Sequence, residues 1–341
     1  MLKKISKDYN KKGKKNKTIN KLFIKICKMS QTELKKFLNK ELSKYYKNII
    51  AQDGFLYCKG QDKILLTAHM DTVHKETVKV FYEYNDNGKH IVSSPQGIGG
   101  DDRCGVYMIL KILETTTLRP YILFCEDEEI GGIGSDKFCE RKFINDLKEM
   151  MFLIELDRQG SNDLVYYNDE NEMFHDFAER TTGYRENWGS FSDISNLSPA
   201  CEIASVNISC GYYNAHTTSE YVVLEEMEKS IEAVINMMIQ GLQEGISYNY
   251  IEHRYERYRF NDYSWLEDRI NTIHTRKDRN LQAMIYFMEY QEEEAELLEG
   301  ESELEIWGLF FSEHPTVCMN DVLDYEIDDH LEEAIAYNLA M

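Results

Sequence analysis

Five short segments between residues 68 and 217 set a histidine or a carboxylate at the end of an apolar run. They are Ala-His-Met-Asp at 68–71, Gly-Gly-Asp-Asp at 99–102, Glu-Asp-Glu-Glu at 126–129, Glu-Leu-Asp at 155–157 and Ala-His-Thr at 215–217. One carboxylate means little in a chain with 60 Asp and Glu, and a lone histidine among nine is more often structural than functional. The recurrence carries the information, because it predicts side chains converging on one edge of a sheet. Imidazole nitrogens with carboxylate oxygens are a donor set for zinc, with cobalt or manganese as substitutes.

Two such ions about 3.5–4 Å apart need a bridging group with two oxygens, which an Asp carboxylate supplies. Asp101 is the candidate bridge, since the backbone at Gly99-Gly100 can pass close to the site. His69 and Asp157 would complete one metal site, Glu129 and His216 the other. Asp71, two residues after His69, shares its face in an extended segment and is placed to orient the imidazole. Glu128 is then left without an ion and is free to act as general base, taking a proton from the attacking water and returning it to the leaving amine. The chemistry expected is hydrolysis of a peptide or amide bond by a hydroxide bridging two zinc ions.

Secondary structure must bring these residues together. Residues 31–48 place Leu34, Phe37, Leu38, Leu42 and Tyr45 near helical spacing, with Ser30 as N-cap and Glu33 where a capping box requires it. Asp53-Gly54 marks a hairpin turn ahead of a strand at 55–58, and 63–68 reads as a buried strand ending at His69. A second hairpin is predicted over 78–84 and 89–93, and further strands over 120–125, 151–156 and 202–209. Helices are predicted over 106–113, 138–149 and 224–242. The alternation predicts an α/β fold, a three-layer αβα sandwich with a mainly parallel mixed central sheet, plus a C-terminal appendage. In such sheets the functional crevice lies beyond the carboxyl ends of the strands, where His69, Glu128, Glu129 and Asp157 fall.

Composition bounds the alternatives. With 341 residues, 43% of them hydrophobic, the chain can bury the core of one large domain or two smaller ones. Its formal charge of −21 is unevenly spread. Residues 1–50 hold sixteen Lys against Asp8, Glu33 and Glu41, net +13, while 51–341 hold 23 basic and 57 acidic residues, net −34. An acidic body lacks the positive face that phosphate binding needs, which argues against nucleic acid as a partner. Residues 1–29 read as a flexible Lys-rich leader, 30–245 as the catalytic domain and 246–341 as an acidic, Tyr/Glu-rich region that carries no catalytic motif. No run approaches the roughly 20 apolar residues of a membrane span, and no apolar signal segment precedes Leu22, so a cytoplasmic protein is expected. Eight cysteines without a C-x-x-C pair predict free thiols; Cys201 and Cys210 flank one strand but are not expected to bridge.

HMDT at 69–72, GGDDRCG at 99–105, EDEEIGG at 126–132, ELD at 155–157 and AHTTSE at 215–220 resemble, in order and type, the motifs of the co-catalytic di-zinc exopeptidase clan. That clan includes bacterial leucyl aminopeptidases, peptidase T, carboxypeptidase G and the tetrahedral aminopeptidases. The resemblance covers 30–245. It implies His69, Asp101, Glu129, Asp157 and His216 as metal ligands and Asp71 with Glu128 as the catalytic pair. Lidded branches insert a domain between the last Asp and His ligands, and the tetrahedral type inserts one between the first His and the bridge. Here 58 residues separate Asp157 from His216 and 31 separate His69 from Asp101. The resemblance is therefore to the lid-less aminopeptidase type, where a pair similar to Ser192-Asp193 also occurs; Asp101-Asp102-Arg103 is more similar to the other branches.

Removal of an N-terminal residue from a peptide is the leading expectation. Deacylation of an N-acyl amino acid on the same site and a non-catalytic, partner-binding role for this scaffold are the alternatives. Arg158, Arg180 and Arg185 are candidate anion binders, with surface positions the simpler reading. Tyr212 and Tyr213 line a pocket or merely pack, and His74 and His175 read as non-ligands. The 246–341 region is a candidate for a protein partner or self-association.

Overall fold

Three central runs are apolar at successive positions: Ile64, Leu65 and Leu66, then Ile122, Leu123 and Phe124, then Phe152, Leu153 and Ile154, all fully buried. A strand that is apolar on both faces has to be covered on both. A computed structural model of the protein, which describes residues 21–252, shows how this is done. The elements run α1 (Lys21–Cys27), α2 (Gln31–Leu42), β1 (Ile49–Gln52), β2 (Phe55–Cys58), β3 (Asp62–His69), β4 (Tyr82–Asp86), β5 (Lys89–Ser93), α3 (Gly100–Thr115) and β6 (Pro120–Cys125). They continue with α4 (Ile133–Cys139), α5 (Ile144–Leu147), β7 (Phe152–Arg158), β8 (Asp163–Val165), α6 (Glu172–Thr182), β9 (Arg185–Glu186), α7 (Asp193–Cys201), β10 (Ser205–Ser209), β11 (Tyr212–Tyr213), β12 (Tyr221–Val223) and α8 (Leu224–Glu244).

Eight strands form one mixed sheet in the order β1-β2-β6-β3-β7-β10-β8-β9, and β11-β12-β5-β4 form a second, antiparallel one. The centre of the large sheet, β6-β3-β7-β10, is parallel. Successive side chains of a strand point to opposite faces. Leu65, Leu123 and Leu153 accordingly join Phe138 of α4 and Ile194 and Leu197 of α7 in one apolar cluster. Leu66, Phe124 and Ile154 join Val106 and Ile109 of α3 and Ile231 and Val234 of α8 in another. The expected three-layer αβα sandwich is what the protein adopts.

Local expectations hold where side-chain chemistry is local. Ser30 caps α2 in a capping box with Glu33, and β1 and β2 pair across Asp53-Gly54. Others shift. The helix predicted at 138–149 is two helices, α4 and α5. An unbroken one would align Lys142, Asn145 and Glu149 with buried Phe138, whereas the break turns Phe143, Ile144 and Leu147 into the cluster. β4 begins at Tyr82 rather than 78, and β10 at Ser205, because Glu202 (φ +63°) caps α7.

The boundaries drawn at 29 and 245 also move. Lys21–Cys27 is helical, with Phe23, Ile26 and Cys27 buried in the core, so the leader reading fails for these residues. At the other end Tyr248 packs on Phe174 and Phe177 with ring centroids 5.3 Å away, and Asn249 and Glu252 bridge to Ile203 and Asp169. Burial of these aromatic and apolar side chains is what fixes both extensions. Residues 1–20 and 253–341, with the flexible leader, appendage and partner role expected of them, lie outside the described residues. The 58 residues between Asp157 and His216 build β8 to β11 with α6 and α7, inside the same sheets rather than as a lid domain. Among the described residues the seven cysteines are free, Cys201 and Cys210 included, and no helix is long and apolar enough to cross a membrane.

Candidate metal centre

β3 delivers His69 as its last residue, fully buried, and the other predicted residues gather around it. Its Nε2 lies 2.9 Å from Asp101 Oδ1, 3.4 Å from Asp157 Oδ1 and 3.9 Å from Glu128 Oε2. Its Nδ1 lies 3.2 Å from Asp71 Oδ1. On the far side His216 Nε2 lies 3.2 Å from Asp101 Oδ2 and 3.0 Å from Glu129 Oε2. All seven predicted residues are thus brought together, and the two oxygens of Asp101 face different imidazoles.

Each side chain is held by neighbours that sequence reading only partly foresaw. Asp71 Oδ1 and Oδ2 accept the N–H groups of Glu128 and Glu129 at 3.1 and 3.0 Å, so Asp71 ties the loop after β6 to His69. Asp157, inside β7 rather than beyond it, accepts the Ser192 hydroxyl at 2.8 Å and donates its N–H to Asn207 Oδ1 at 2.9 Å. The Tyr212 hydroxyl donates to the Asp157 carbonyl at 3.0 Å, so it braces the strand rather than lining a pocket. Tyr213 stacks on Tyr221.

The turn before α3 is equally constrained. Gly99 (φ +64°) opens it, and Asp101 and Asp102, joined by a cis peptide, have non-helical backbone. Asp102 accepts the N–H groups of His69 at 3.1 Å and Gly105 at 2.8 Å. Buried Glu220 accepts those of Gly99 at 2.8 Å and Asp101 at 3.0 Å and meets His74 Nε2 at 3.0 Å. Asp102, Glu220 and Asn207 are the functional-site residues that sequence reading left without a role. Glu220 closes the AHTTSE segment and Asp102 doubles the Asp101 motif, so both carried a signal; Asn207 carried none. His74 and His175 are committed elsewhere, His175 to the Asp169 carbonyl at 3.0 Å. Arg158, Arg180 and Arg185 face Asp163, Glu244 and Glu179.

Burial with so many carboxylates distorts the proton affinities. Burial pushes Glu128 up to about 9, with Asp157, Asp193 and Asp101 adding to it against the pull of His69. Burial and Asp157 raise Asp101 to about 6. Hydrogen bonds to Asp101 and Glu129 lift His216 to about 10. Burial opposes a charged His69 ring, yet Asp157, Asp101 and Asp71 hold it well above its ordinary value. An excess of buried negative charge is costly unless cations compensate it. The donors fit that need: ligand atoms of His69, Asp101 and Glu129 lie within 4.8 Å of one another, as do those of His69, Asp102 and Asp157. Glu129 Oε1 is also buried without a hydrogen-bond partner, an orphan that a cation would satisfy.

The chain is similar to known proteins in part of its sequence and in its fold. Residues 50–194 match the model of Peptidase family M28. The M28 match contains His69, Asp71, Asp101, Glu128, Glu129 and Asp157, with His216 beyond its end. A protein of Aspergillus niger described as a "Probable carboxypeptidase" is 29% identical over 102 residues, which is 29% of this chain and 24% of that protein. In fold, the chain is similar to the aminopeptidase PepT of Bacillus cereus, with a TM-score of 0.52 and 14% identity over 70% of this chain and 99% of that one. It is also similar to a tripeptidase of Staphylococcus aureus, with a TM-score of 0.53 and 12% identity over 71% and 99%.

Proposed function

We propose that the protein is a metal-dependent peptidase, an aminopeptidase acting with two divalent ions, zinc foremost. The observation that carries the reading is the sharing of Asp101 between His69 and His216, with Asp157 and Glu129 completing the two sets. His69, Asp101 and Asp157 would hold one ion and Asp101, Glu129 and His216 the other. When bound, the ions polarise the scissile carbonyl and acidify water. Glu128 belongs to neither set; it takes the proton from the attacking water and hands it to the amine nitrogen that leaves. Asp71 fixes the His69 ring and, through two backbone N–H groups, the loop that presents Glu128.

The description of the fungal relative favours a second reading, cleavage at the carboxyl end of a peptide. Three substrate classes separate the possibilities in the zinc-loaded protein: aminoacyl-nitroanilides, N-blocked dipeptides with a free carboxylate, and N-acetyl amino acids. Hydrolysis of the first class alone is expected. Hydrolysis of the second alone makes the protein a carboxypeptidase, and of the third alone a deacylase. Two bound ions with no hydrolysis of any class would favour a partner-binding role.

A further inference from the structure

Helix α2 precedes the segment matched to the peptidase family, yet its first turn and the residue just before its N-cap are bonded to two different parts of the centre. Arg103, directly after Asp101-Asp102 and only 4% exposed, donates from Nη2 to the Met29 carbonyl at 3.1 Å, just before the N-cap Ser30. Gln31, the first residue of α2, faces Asp127. Its Nε2 donates to Asp127 Oδ1 at 2.9 Å, and its Oε1 accepts the Asp127 N–H at 3.2 Å. One turn later Lys35 Nζ donates to Glu126 Oε2 and to the Gln52 carbonyl, each at 2.5 Å. The same Glu126 oxygen accepts the Gly54 N–H at 2.9 Å.

Glu126 and Asp127 lead directly into Glu128 and Glu129. Asp127 has φ +60°, a left-handed backbone that a residue with a side chain adopts only at a penalty. A glutamine amide carries a donor and an acceptor on one rigid group, so a single side chain satisfies both the N–H and the carboxylate of Asp127. The next two N–H groups of the loop, those of Glu128 and Glu129, are accepted by Asp71. The loop is therefore held by both Asp71, two residues past β3, and α2, while the Arg103–Met29 bond ties the Asp101 turn to the residue before the N-cap of α2.

We propose that the first turn of α2 belongs to the active site, with Gln31 a positioning residue that fixes residues 126–129 so that Glu128 and Glu129 keep their places relative to His69 and His216. This rests on the two-ion reading above. It is tested in the 341-residue chain by zinc competition against a chromophoric chelator, together with kcat, KM and thermal unfolding. The variants are Q31A, Q31E, and Q31E combined with D127N; Lys40→Ala, on the exposed side of the same helix, is the control.

Q31A is expected to bind one zinc equivalent as the unaltered chain does and the second roughly 10- to 100-fold more weakly, with kcat falling more than KM rises. Q31E, which sets a carboxylate against Asp127, is expected to be affected more, and adding D127N to exchange donor and acceptor restores affinity and kcat. A lowered melting temperature in Q31A with both zinc affinities and kcat unchanged makes Gln31 structural only and overturns the proposal, as does failure of D127N to rescue. If the unaltered chain binds no zinc, the two-ion reading falls and this inference with it. If it binds two and Q31A matches it, only the inference falls.

Discussion

At the scale of residues the centre separates two kinds of carboxylate. Asp101, Asp157 and Glu129 sit within 3.4 Å of an imidazole nitrogen, while Glu128 stands 3.9 Å from the nearest. That difference gives the variants distinct signatures. Glu128→Gln, which keeps the side chain's shape and lies outside the two proposed ligand sets, is expected to bind two ions still and to lower kcat by about 10²- to 10⁴-fold. His216→Ala is expected to retain one ion, and Asp101→Ala, which removes the shared group, neither. Metal analysis of each purified variant beside its kinetics checks all three; an undiminished kcat in Glu128→Gln would remove that residue from the role of base.

At the scale of elements, the site depends on how closely α3 lies on β7. A Cβ on Gly105 would sit 1.8 Å from the Leu156 carbonyl oxygen and 2.6 and 2.7 Å from the Asp102 carboxylate. Neither neighbour can yield cheaply, since one is strand backbone and the other holds the His69 N–H. Gly105→Ala is therefore expected to destabilise the fold by about 1–3 kcal/mol or more. In a body of this size that is roughly 2–4 °C of melting temperature per kcal/mol. Scanning calorimetry decides, and melting indistinguishable from the unaltered chain would contradict the close contact between α3 and β7.

At the scale of the whole molecule, folding, metal and pH are linked. Ions that bind only the folded chain stabilise it, by about 4 kcal/mol per site at 1,000 times Kd. The raised proton affinities fix the direction with pH. His216 at about 10 and Glu128 at about 9 hold protons at pH 7 in the chelator-stripped protein, and His69 is likewise raised. Imidazole ligates only when deprotonated, so zinc must expel protons, and its apparent affinity is expected to rise from pH 6 to pH 8. Titration calorimetry in buffers of different ionisation enthalpy reads the released protons directly; binding that releases none, or weakens as pH rises, is the contrary outcome.

Much of this architecture was legible in the chain, and for a physical reason. The capping box at Ser30, the turn at Asp53-Gly54 and the strand before His69 depend on neighbours in sequence, and the donor types of the seven predicted residues are fixed by side-chain chemistry alone. The split of the 138–149 helix was not legible, because it answers to which side chains the cluster around Phe138 must receive. Nor was the bracing of the centre. Glu220 reaches Gly99 across 121 positions, Gln31 reaches Asp127 across 96, and Asn207 meets Asp157 only through the register of β10 on β7. The sequence by itself determined which imidazole and carboxylate groups are available for the proposed metal binding and proton transfer. Only the tertiary structure decided that Asp101 is shared between two imidazoles, that Asp71 serves both His69 and the Glu128 loop, and that the first turn of α2 grips that loop, since each depends on loop closure between segments far apart in the chain.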